Sequence, residues 1–286
     1  MHVGYKQMAA YFGQLTWISV GVFSIAFAAH AEEKQMPWES ERPPYIDEAR
    51  MRLEVSVWNA NIDTIVRSDP TTTAAGTTLT GERDLGLKKK KYTPDFELTF
   101  FPGDRHILRL SGFSSERTGE VKLTQRVQFH TDLYNTGDAV KSEVGINLVG
   151  LTYGYRVLKG RWYDLAATMR MQVGTFTTNL QGPNTYTRQA DTITLPLPMV
   201  GGEGRLQVYK KLNLTARYQW LGATVVDTKG VIREWQAGLL YQHRRNFGVE
   251  LGYRGYSVHV ESGSNDHPGL LDMRYRGLLL GFRGSL

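Results

Sequence analysis

The stretch Leu212 to Trp220, LNLTARYQW, decides the fold. Apolar and aromatic residues occupy every second position, and Asn213, Thr215, Arg217 and Gln219 lie between them. A period of two residues is typical of a β-strand with one apolar and one polar face. The stretch approaches the length of a tilted membrane-spanning strand, about 9–11 residues, whereas strands of globular proteins average about 5–6. We therefore predict a long amphipathic strand.

The same alternation recurs on both sides of this stretch. It begins after Arg50 and ends with a segment rich in Leu and Gly whose facing is ambiguous. The further predicted strands contain residues 51–58, 96–100, 108–111, 153–157, 164–173, 205–208, 234–242, 247–254 and 274–283. In the strand that contains Tyr153 and Tyr155, the apolar positions change parity, and this change predicts a register shift near Val149.

The connections between these strands alternate between short and long. Short ones lie at residues 102–105, 159–160, 210–211 and 244–246. Longer ones lie at 61–92, 117–141, 178–191 and 261–270, with a tighter one at 227–230. Four short turns between five strand pairs predict ten strands with both ends on one side. The alternating segment Val121 to Phe129 is interpreted as a hairpin in the second long loop, and a barrel of twelve strands is the alternative.

The apolar faces of these strands indicate contact with lipid. Beyond residue 31, no apolar run approaches the 18 residues that suggest a membrane helix. Only helices and closed barrels satisfy every backbone polar group in a bilayer. The sequence therefore predicts an all-β fold: a transmembrane, antiparallel, up-and-down β-barrel with its polar faces turned inward.

The inward faces are predicted to carry a balanced set of Arg residues and carboxylates. A balanced lumen favours a charge-paired interior, whereas a selective pore would need an uncompensated ring of one sign. A narrow channel stays an alternative, because the sequence does not give the diameter. The predicted lumen charges are Arg52, Glu54, Glu97, Arg109, Asp164, Arg170, Glu203, Arg205, Arg217, Glu234, Glu250 and Arg254.

Aromatic residues cluster beside the short turns and predict a girdle at one membrane interface. They are Phe100, Phe101, Tyr155, Trp162, Tyr163, Tyr209, Tyr241 and Phe247.

The first residues predict export. A weakly basic start precedes the apolar run Leu15 to Ala29, and Ala29-His30-Ala31 ends it as a small-residue cleavage pattern. We expect a signal peptide over residues 1–31, an acidic periplasmic segment over 32–48 and the barrel over 49–286. The chain contains no Cys, which excludes a thiolate metal site, and its formal net charge is +6.

Candidate catalytic groups are sparse. His259 with Glu261 and Ser262 could form a lipid hydrolase, and the Asp–His neighbours at 130–132 and 266–267 could activate water. Loop polarity explains all of these residues, and no nucleophile elbow, metal-binding or phosphate-loop motif is present. We therefore predict no catalytic residue, no metal site and no cofactor.

The run Lys88, Lys89, Lys90 and Lys91 is the strongest local charge. Placed in an outer loop, it predicts binding to the phosphates of outer-membrane lipids, including lipopolysaccharide. A protein partner is an alternative, through the outer loops or the N-terminal segment. Nucleic acid is not an expected partner of an exported barrel.

Residues 49–286 resemble small outer-membrane β-barrel proteins of Gram-negative bacteria, in the broad OmpA-type and OmpW-type class. The resemblance rests on the export signal, the alternation, the Lys-Gly, Lys-Lys and Arg-Arg-Asn turns and the last strand around Gly277 to Phe282. It implies an outer-membrane location and insertion by the barrel assembly machinery, and it transfers no site residue. The chain ends in Leu286, whereas such barrels usually end in an aromatic residue.

The predicted function is that of a non-enzymatic outer-membrane barrel, either structural or a narrow channel, with surface loops that bind lipid headgroups or a partner. The alternative is a barrel enzyme that hydrolyses lipid or peptide at the outer face.

Overall fold

The structure is a computed structural model. It describes residues 50–69, 76–129, 132–160, 162–182, 189–225, 228–244, 246–262 and 269–286. The predicted signal peptide and the acidic segment lie outside these residues. Among the described residues, no helix is long and apolar enough to cross a membrane.

Thirteen strands and one short helix make up the described chain. They are β1 (Met51–Ser68), β2 (Leu79–Thr80), α1 (Gly81–Asp84), β3 (Lys90–Phe100), β4 (His106–Lys122), β5 (Val127–Phe129), β6 (Asp132–Tyr134), β7 (Ala139–Lys159), β8 (Tyr163–Gln181), β9 (Gln189–Tyr209), β10 (Leu212–Val225), β11 (Thr228–Arg244), β12 (Phe247–Ser262) and β13 (Gly269–Ser285).

Ten of these strands form a closed antiparallel barrel. Following the chain, β1, β3, β4 and β7 to β13 each pair with the next, and β13 pairs with β1 to close the wall. The predicted ten-stranded, up-and-down barrel is confirmed. The twelve-stranded alternative is wrong, because β5 and β6 pair with each other in a separate two-stranded sheet.

The first strand begins and the last strand ends at the short-turn end of the barrel. The Met51 amide donates to the Leu286 carbonyl at 3.1 Å, and the Leu286 amide donates to Met51 at 2.9 Å. Outer-membrane barrels have their short turns and chain ends on the periplasmic side. The end with the long connections is therefore the outer end.

The strands extend farther toward the outer end than the sequence suggested. β1 continues to Ser68 and β3 begins at Lys90, where a loop over 61–92 was predicted. Likewise β4 continues to Lys122 and β7 begins at Ala139. These extensions are largely polar on their outer faces, so they lack the apolar alternation that marks a strand in lipid.

Around Val149, successive side chains of β7 alternate between lipid and lumen without a break, and the register with β8 shifts only near the periplasmic end, between Arg156 and Leu158. On β7, Val149 and Leu151 are 59% and 51% exposed on the outer face, whereas Ile146 and Leu148 are buried. β4 and β7 keep one register from end to end. The predicted register shift near Val149 is therefore wrong, because the inner face itself changes from polar to apolar at this height.

The interior consequently has two layers. Paired charges fill the periplasmic half, and an apolar cluster fills the outer half. Trp58, Phe113, Tyr256 and Tyr275 stand at the boundary, with neighbouring ring centroids 5.8–6.4 Å apart. Aromatic pairs at such spacings favour tilted or edge-to-face geometry, as several of these adopt.

A roof closes the outer layer. The segment from β2 through α1 to Leu87 buries Leu79, Leu85 and Leu87 in the apolar cluster. Pro94 accounts for the place that the roof occupies. Proline has no N–H to donate to a strand ladder, and the pairing of β3 with β4 starts only at the next residue, Asp95. Beyond that point the roof backbone approaches β4 so closely that a Cβ on Gly119 would lie 2.3 Å from the Leu85 carbonyl oxygen.

The predicted aromatic girdle needs one correction. Phe100, Tyr155, Tyr163, Tyr209, Tyr241 and Phe247 are exposed on the outer face near the periplasmic turns, and Trp162 is half-buried against Tyr163, with ring centroids 4.9 Å apart. Phe101 is buried instead, with the guanidinium groups of Arg52 and Arg156 at 5.3 and 4.9 Å from its ring centroid. It begins the turn and faces the mouth of the lumen, because two neighbours cannot both face lipid in a strand.

We expect Leu151→Arg to lower the free energy of unfolding by about 2–4 kcal/mol, since a guanidinium at that height must enter hydrocarbon. The control is Asn147→Arg, on the same strand and face but nearer the interface, with an expected cost of about 0–1 kcal/mol. Urea titrations in phosphatidylcholine vesicles, followed by tryptophan fluorescence, measure both. Equal costs would contradict a lipid-facing band at Leu151.

Candidate functional site

A network of ion pairs crosses the lumen. Arg109 on β4 donates to both carboxylate oxygens of Glu203 on β9, at 2.7 and 2.9 Å. Arg217 on β10 does the same to Glu97 on β3, at 2.5 and 2.9 Å. Neither pair joins neighbouring strands, so the side chains connect opposite parts of the wall. Arg109 also lies 3.4 Å from Glu97, which joins the two pairs.

A second group lies against the apolar layer. Arg254 on β12 donates to Asp95 on β3 at 2.5 Å and to Glu234 on β11 at 2.7 Å. Arg170 on β8 donates to the other oxygen of Glu234 at 2.6 Å. Arg254 also lies 5.1 Å from the ring centroid of Trp58, in cation–π contact. This guanidinium therefore joins the charged layer to the apolar one.

A third group fixes the junction where the barrel closes. Arg283 on β13 donates to Glu54 on β1 at 2.9 Å and to Glu250 on β12 at 2.7 Å. Glu250 also accepts from Gln236 at 3.0 Å and from Thr215 at 2.9 Å. First and last strands are thus joined through side chains as well as through their ladder.

The structure places all twelve predicted lumen charges on inner faces. Seven are buried and five are half-buried; the half-buried ones are Arg52, Asp164, Glu203, Arg205 and Arg217. Asp95, Arg156 and Arg283 also face the lumen, although the sequence did not predict them there. Asp95 continues the alternation of the 96–100 segment by one residue, whereas Arg156 and Arg283 already lie at polar positions within predicted strands.

Desolvation governs what this network can do. A charge buried without a partner costs several kcal/mol, whereas a well-bonded pair recovers much of that cost. Bidentate Arg–carboxylate contacts are the strong geometry for such recovery. A cavity of about 70 Å³ lies at the periplasmic side of the network and is lined by Arg109 and Arg217 of the network as well as by Arg52, Phe101 and Arg156. The paired charges therefore occupy much of the lumen at this height.

The roof is fixed by polar contacts as well as by its leucines. Arg117 donates to Glu82 at 2.7 Å and to the Thr64 hydroxyl, and the Ser142 hydroxyl donates to the Leu85 carbonyl at 2.6 Å. In α1, the hydrogen bond from Arg83, at 2.9 Å, lowers the pKa of Asp84 below its ordinary value.

The Lys run lies at the outer end, only partly in a loop. Lys88 and Lys89 precede β3, whereas Lys90 and Lys91 are its first residues and pair with Asn61 and Ala60. The predicted location wholly within a loop is therefore wrong. All four are exposed, and Lys89 lies 3.2 Å from Asp63.

The catalytic candidates do not assemble among the described residues. His259 lies 3.2 Å from Asp272 on the outer wall, whereas Ser262, three residues on, falls on the opposite face of β12. His130, Asp266 and His267 lie outside the described residues. Within the described ranges, no group of three or more His, Asp or Glu side chains is arranged to hold a metal ion.

No family model matches the sequence, and no curated protein matches it either. Solved structures do match. The outer membrane protease OmpT from Escherichia coli superposes with a TM-score of 0.55 at 9% identity, over 82% of this chain and 96% of that chain. This chain has the fold of an outer-membrane β-barrel.

Two other outer-membrane structures match with lower scores. The transport unit of the autotransporter AIDA-I from Escherichia coli gives a TM-score of 0.42 at 12% identity, over 83% of this chain and 90% of that chain. The toluene transporter TodX from Pseudomonas putida gives 0.38 at 8%, over 86% and 92%. At these identities the likeness to OmpT concerns the fold alone, so the activity must be argued from this chain's own residues.

We expect Glu234→Gln to lower the free energy of unfolding by about 3–5 kcal/mol, because Arg170 and Arg254 lose the carboxylate that they share. Asp63→Asn is the control, since it removes a carboxylate from an exposed pair with Lys89, where the expected cost is about 0–1 kcal/mol. Urea titrations in vesicles compare them. A Glu234→Gln cost as small as that of the control would mean that water reaches the network.

Proposed function

We propose that this chain is a non-enzymatic structural barrel of the outer membrane whose lumen conducts neither ions nor solutes. The observation that carries the proposal is the cross-lumen pairing of Arg109 with Glu203 and of Arg217 with Glu97. A conducting lumen needs mobile water along its whole length. Here each guanidinium already donates to carboxylates, and the apolar layer and the roof lie above them.

The size of the remaining space supports this proposal. The periplasmic cavity has a volume of about 70 Å³, and Arg109, Glu203 and Arg217 of the network itself line it. Above it, the buried rings of Trp58, Phe113 and Tyr256 offer no polar path. A hydrated ion would have to displace the ion pairs and then cross an apolar layer.

The hydrolase alternative has weaker support. His259 and Asp272 are 3.2 Å apart, which is suitable for orienting a general base. A serine mechanism also needs a hydroxyl within hydrogen-bond reach of that base. Ser262 faces away from His259, and the nearer Ser257, on the same face, makes no hydrogen bond with it among the described contacts.

The proposed role at the cell surface is contact with polyanionic lipid headgroups. Lys88, Lys89, Lys90 and Lys91 stand exposed at the outer end, where lipopolysaccharide phosphates would lie. We further propose that the chain is exported by a signal peptide cleaved after Ala31 and inserted by the barrel assembly machinery.

The first test of the proposed function is conductance. The purified full chain, reconstituted in planar lipid bilayers in molar KCl, should give no stable single-channel steps, because no continuous water path crosses the lumen. A general porin prepared in the same detergent is the control for reconstitution. Reproducible steps of uniform size would contradict the sealed interior and favour the narrow-channel alternative.

The location and the processing are tested together. After cell fractionation, the protein should remain in the outer-membrane extract and migrate differently in a detergent gel before and after boiling, because a closed barrel resists unfolding by the detergent. Intact mass of the extracted protein should correspond to a chain that begins at Glu32. Recovery in the soluble periplasm would contradict the membrane location, and a mass that includes residues 1–31 would contradict cleavage.

A further inference from the structure

Three exposed arginines stand on the outer wall of the barrel, on one side only. They are Arg233 on β11 and Arg274 and Arg276 on β13. All three follow the outward alternation of their strands, in line with lipid-facing residues such as Leu239 and Leu278. They are therefore not part of the lumen network.

Their height corresponds to the outer membrane interface. On β11, eight residues separate Arg233 from Tyr241 in the periplasmic girdle. At about 3.4 Å per residue and a tilt of about 40°, this separation spans about 20 Å of the membrane normal, near the roughly 25 Å apolar band of such barrels. One step below Arg233 lies Trp235, whose ring stacks on Tyr253 with centroids 5.7 Å apart. Such aromatic rings mark the headgroup level.

The strand register brings the arginines together around a small floor. Arg233 lies opposite Ser257, and Ser257 lies opposite Arg274. With strands about 4.8 Å apart, the two arginines stand about 10 Å apart across a single hydroxyl. In the next row, Gly255 lies between Trp235 and Arg276.

A groove of about 670 Å³ results from this arrangement. Gly255 leaves room for the Trp235 indole, because a Cβ there would lie 2.4 Å from the indole nitrogen. The indole therefore lies directly over that glycine and forms one wall of the groove. The floor is small and polar, one wall is aromatic, and the rim is cationic. This shape suits a headgroup whose acyl chains continue downward along the apolar wall.

The groove keeps an excess of positive charge. Asp272 accepts two hydrogen bonds from Arg274, each 3.0 Å long, and lies 3.2 Å from His259. This carboxylate holds Arg274 in place and neutralises one charge. Among the described residues, no carboxylate lies within ion-pair distance of Arg233 or Arg276, so their donors face the groove without an acidic partner.

On the opposite side of the wall, one row of outward positions carries no charge. Ser114, Asn147, Thr175 and Thr194 occupy the outward positions there, and they bond to each other in the pairs Ser114–Asn147 and Thr175–Thr194. A general attraction to an anionic membrane would not require charge on one side only. The asymmetry therefore favours a bound lipid over a diffuse counter-ion layer.

We propose that this groove binds the phosphates of an outer-leaflet glycolipid with two phosphorylated sugars, as in lipid A. Arg233 and Arg274 hold one phosphate over Ser257, and Arg276 holds the second, above Trp235. Outer-leaflet lipid is the occupant because the groove opens onto the lipid-facing wall and continues into its apolar band. The inference rests on the proposed outer-membrane location, but on other residues than the Lys run.

The test compares variants of the full chain in phospholipid nanodiscs, with bisphosphorylated lipid A as the probe and native mass spectrometry as the readout. The triple variant R233Q/R274Q/R276Q should bind lipid A about tenfold to a hundredfold more weakly, since each basic residue near an anionic headgroup raises affinity about fivefold and Asp272 already offsets one of the three charges. The matched control K122Q/R126Q/K141Q removes three exposed charges elsewhere at the outer end and should change binding less than about twofold.

Three further measurements test the shape of the groove, the need for phosphate and the source of that phosphate. Ser257→Trp keeps every arginine but fills the floor of the groove, so it should also weaken binding of lipid A. Dephosphorylated lipid A should bind the unchanged chain no better than lipid A binds the triple variant. Millimolar pyrophosphate should not displace lipid A, because a soluble anion lacks the acyl chains.

Each contrary result overturns the proposal. Equal losses in the triple variant and its control would indicate nonspecific attraction, and unchanged binding to Ser257→Trp would remove the groove. Displacement by pyrophosphate would assign the site to soluble anions. A loss confined to K88Q/K89Q/K90Q/K91Q would retain the headgroup role proposed for the Lys run and reject this site. Gel mobility before and after boiling verifies that every variant is folded.

Discussion

The pairing of arginines with carboxylates across the lumen is the interaction on which the rest of the structure depends. An up-and-down barrel in lipid must turn its polar faces inward, and those faces then lose bulk water once the lumen narrows to ten strands. Arg109 with Glu203 and Arg217 with Glu97 solve this problem by joining strands that are not neighbours. Such pairs contribute less to net stability than apolar packing of equal volume. They do specify which strands face each other.

The apolar layer above the charges follows from a second constraint. The wall continues beyond the bilayer toward the outer end, where its outer faces meet water and polar headgroups. There Val144, Ile146 and Leu148 face inward and pack as in a soluble β-barrel, beneath a roof that brings Leu79 and Leu85. One strand such as β7 therefore reverses its polarity midway while its geometry stays constant. The charge network fills the periplasmic half of the lumen, and the roof covers its outer end.

The sequence alone was enough to predict the strands, their number and the inner position of twelve charges, because period two in lipid is a strong local signal. It was not enough to predict the partners, since Arg217 and Glu97 are distant in sequence and on non-adjacent strands. The change of polarity on β7 was misinterpreted as a register shift. Alternation shows which residues share a face of a strand, but it does not show whether that face contacts lipid, water or the protein interior. The roof was missed for a related reason: Leu79, Leu85 and Leu87 show no period, and only the end of the β3–β4 ladder at Asp95 leaves room for them.

The proposed sealed lumen leaves the outer surfaces as the place where this barrel can recognise a ligand. The inner charges are already matched, so they exert little attraction beyond the wall. Two exposed charges differ: among the described residues no carboxylate lies within ion-pair distance of Arg233 or Arg276, and the uncharged Ser114 and Thr175 stand on the opposite side of the wall. Arginine therefore has two different roles in this barrel. Buried beside Glu or Asp, arginine closes the lumen; exposed above Trp235 and without an acid, it offers its donors to a phosphate.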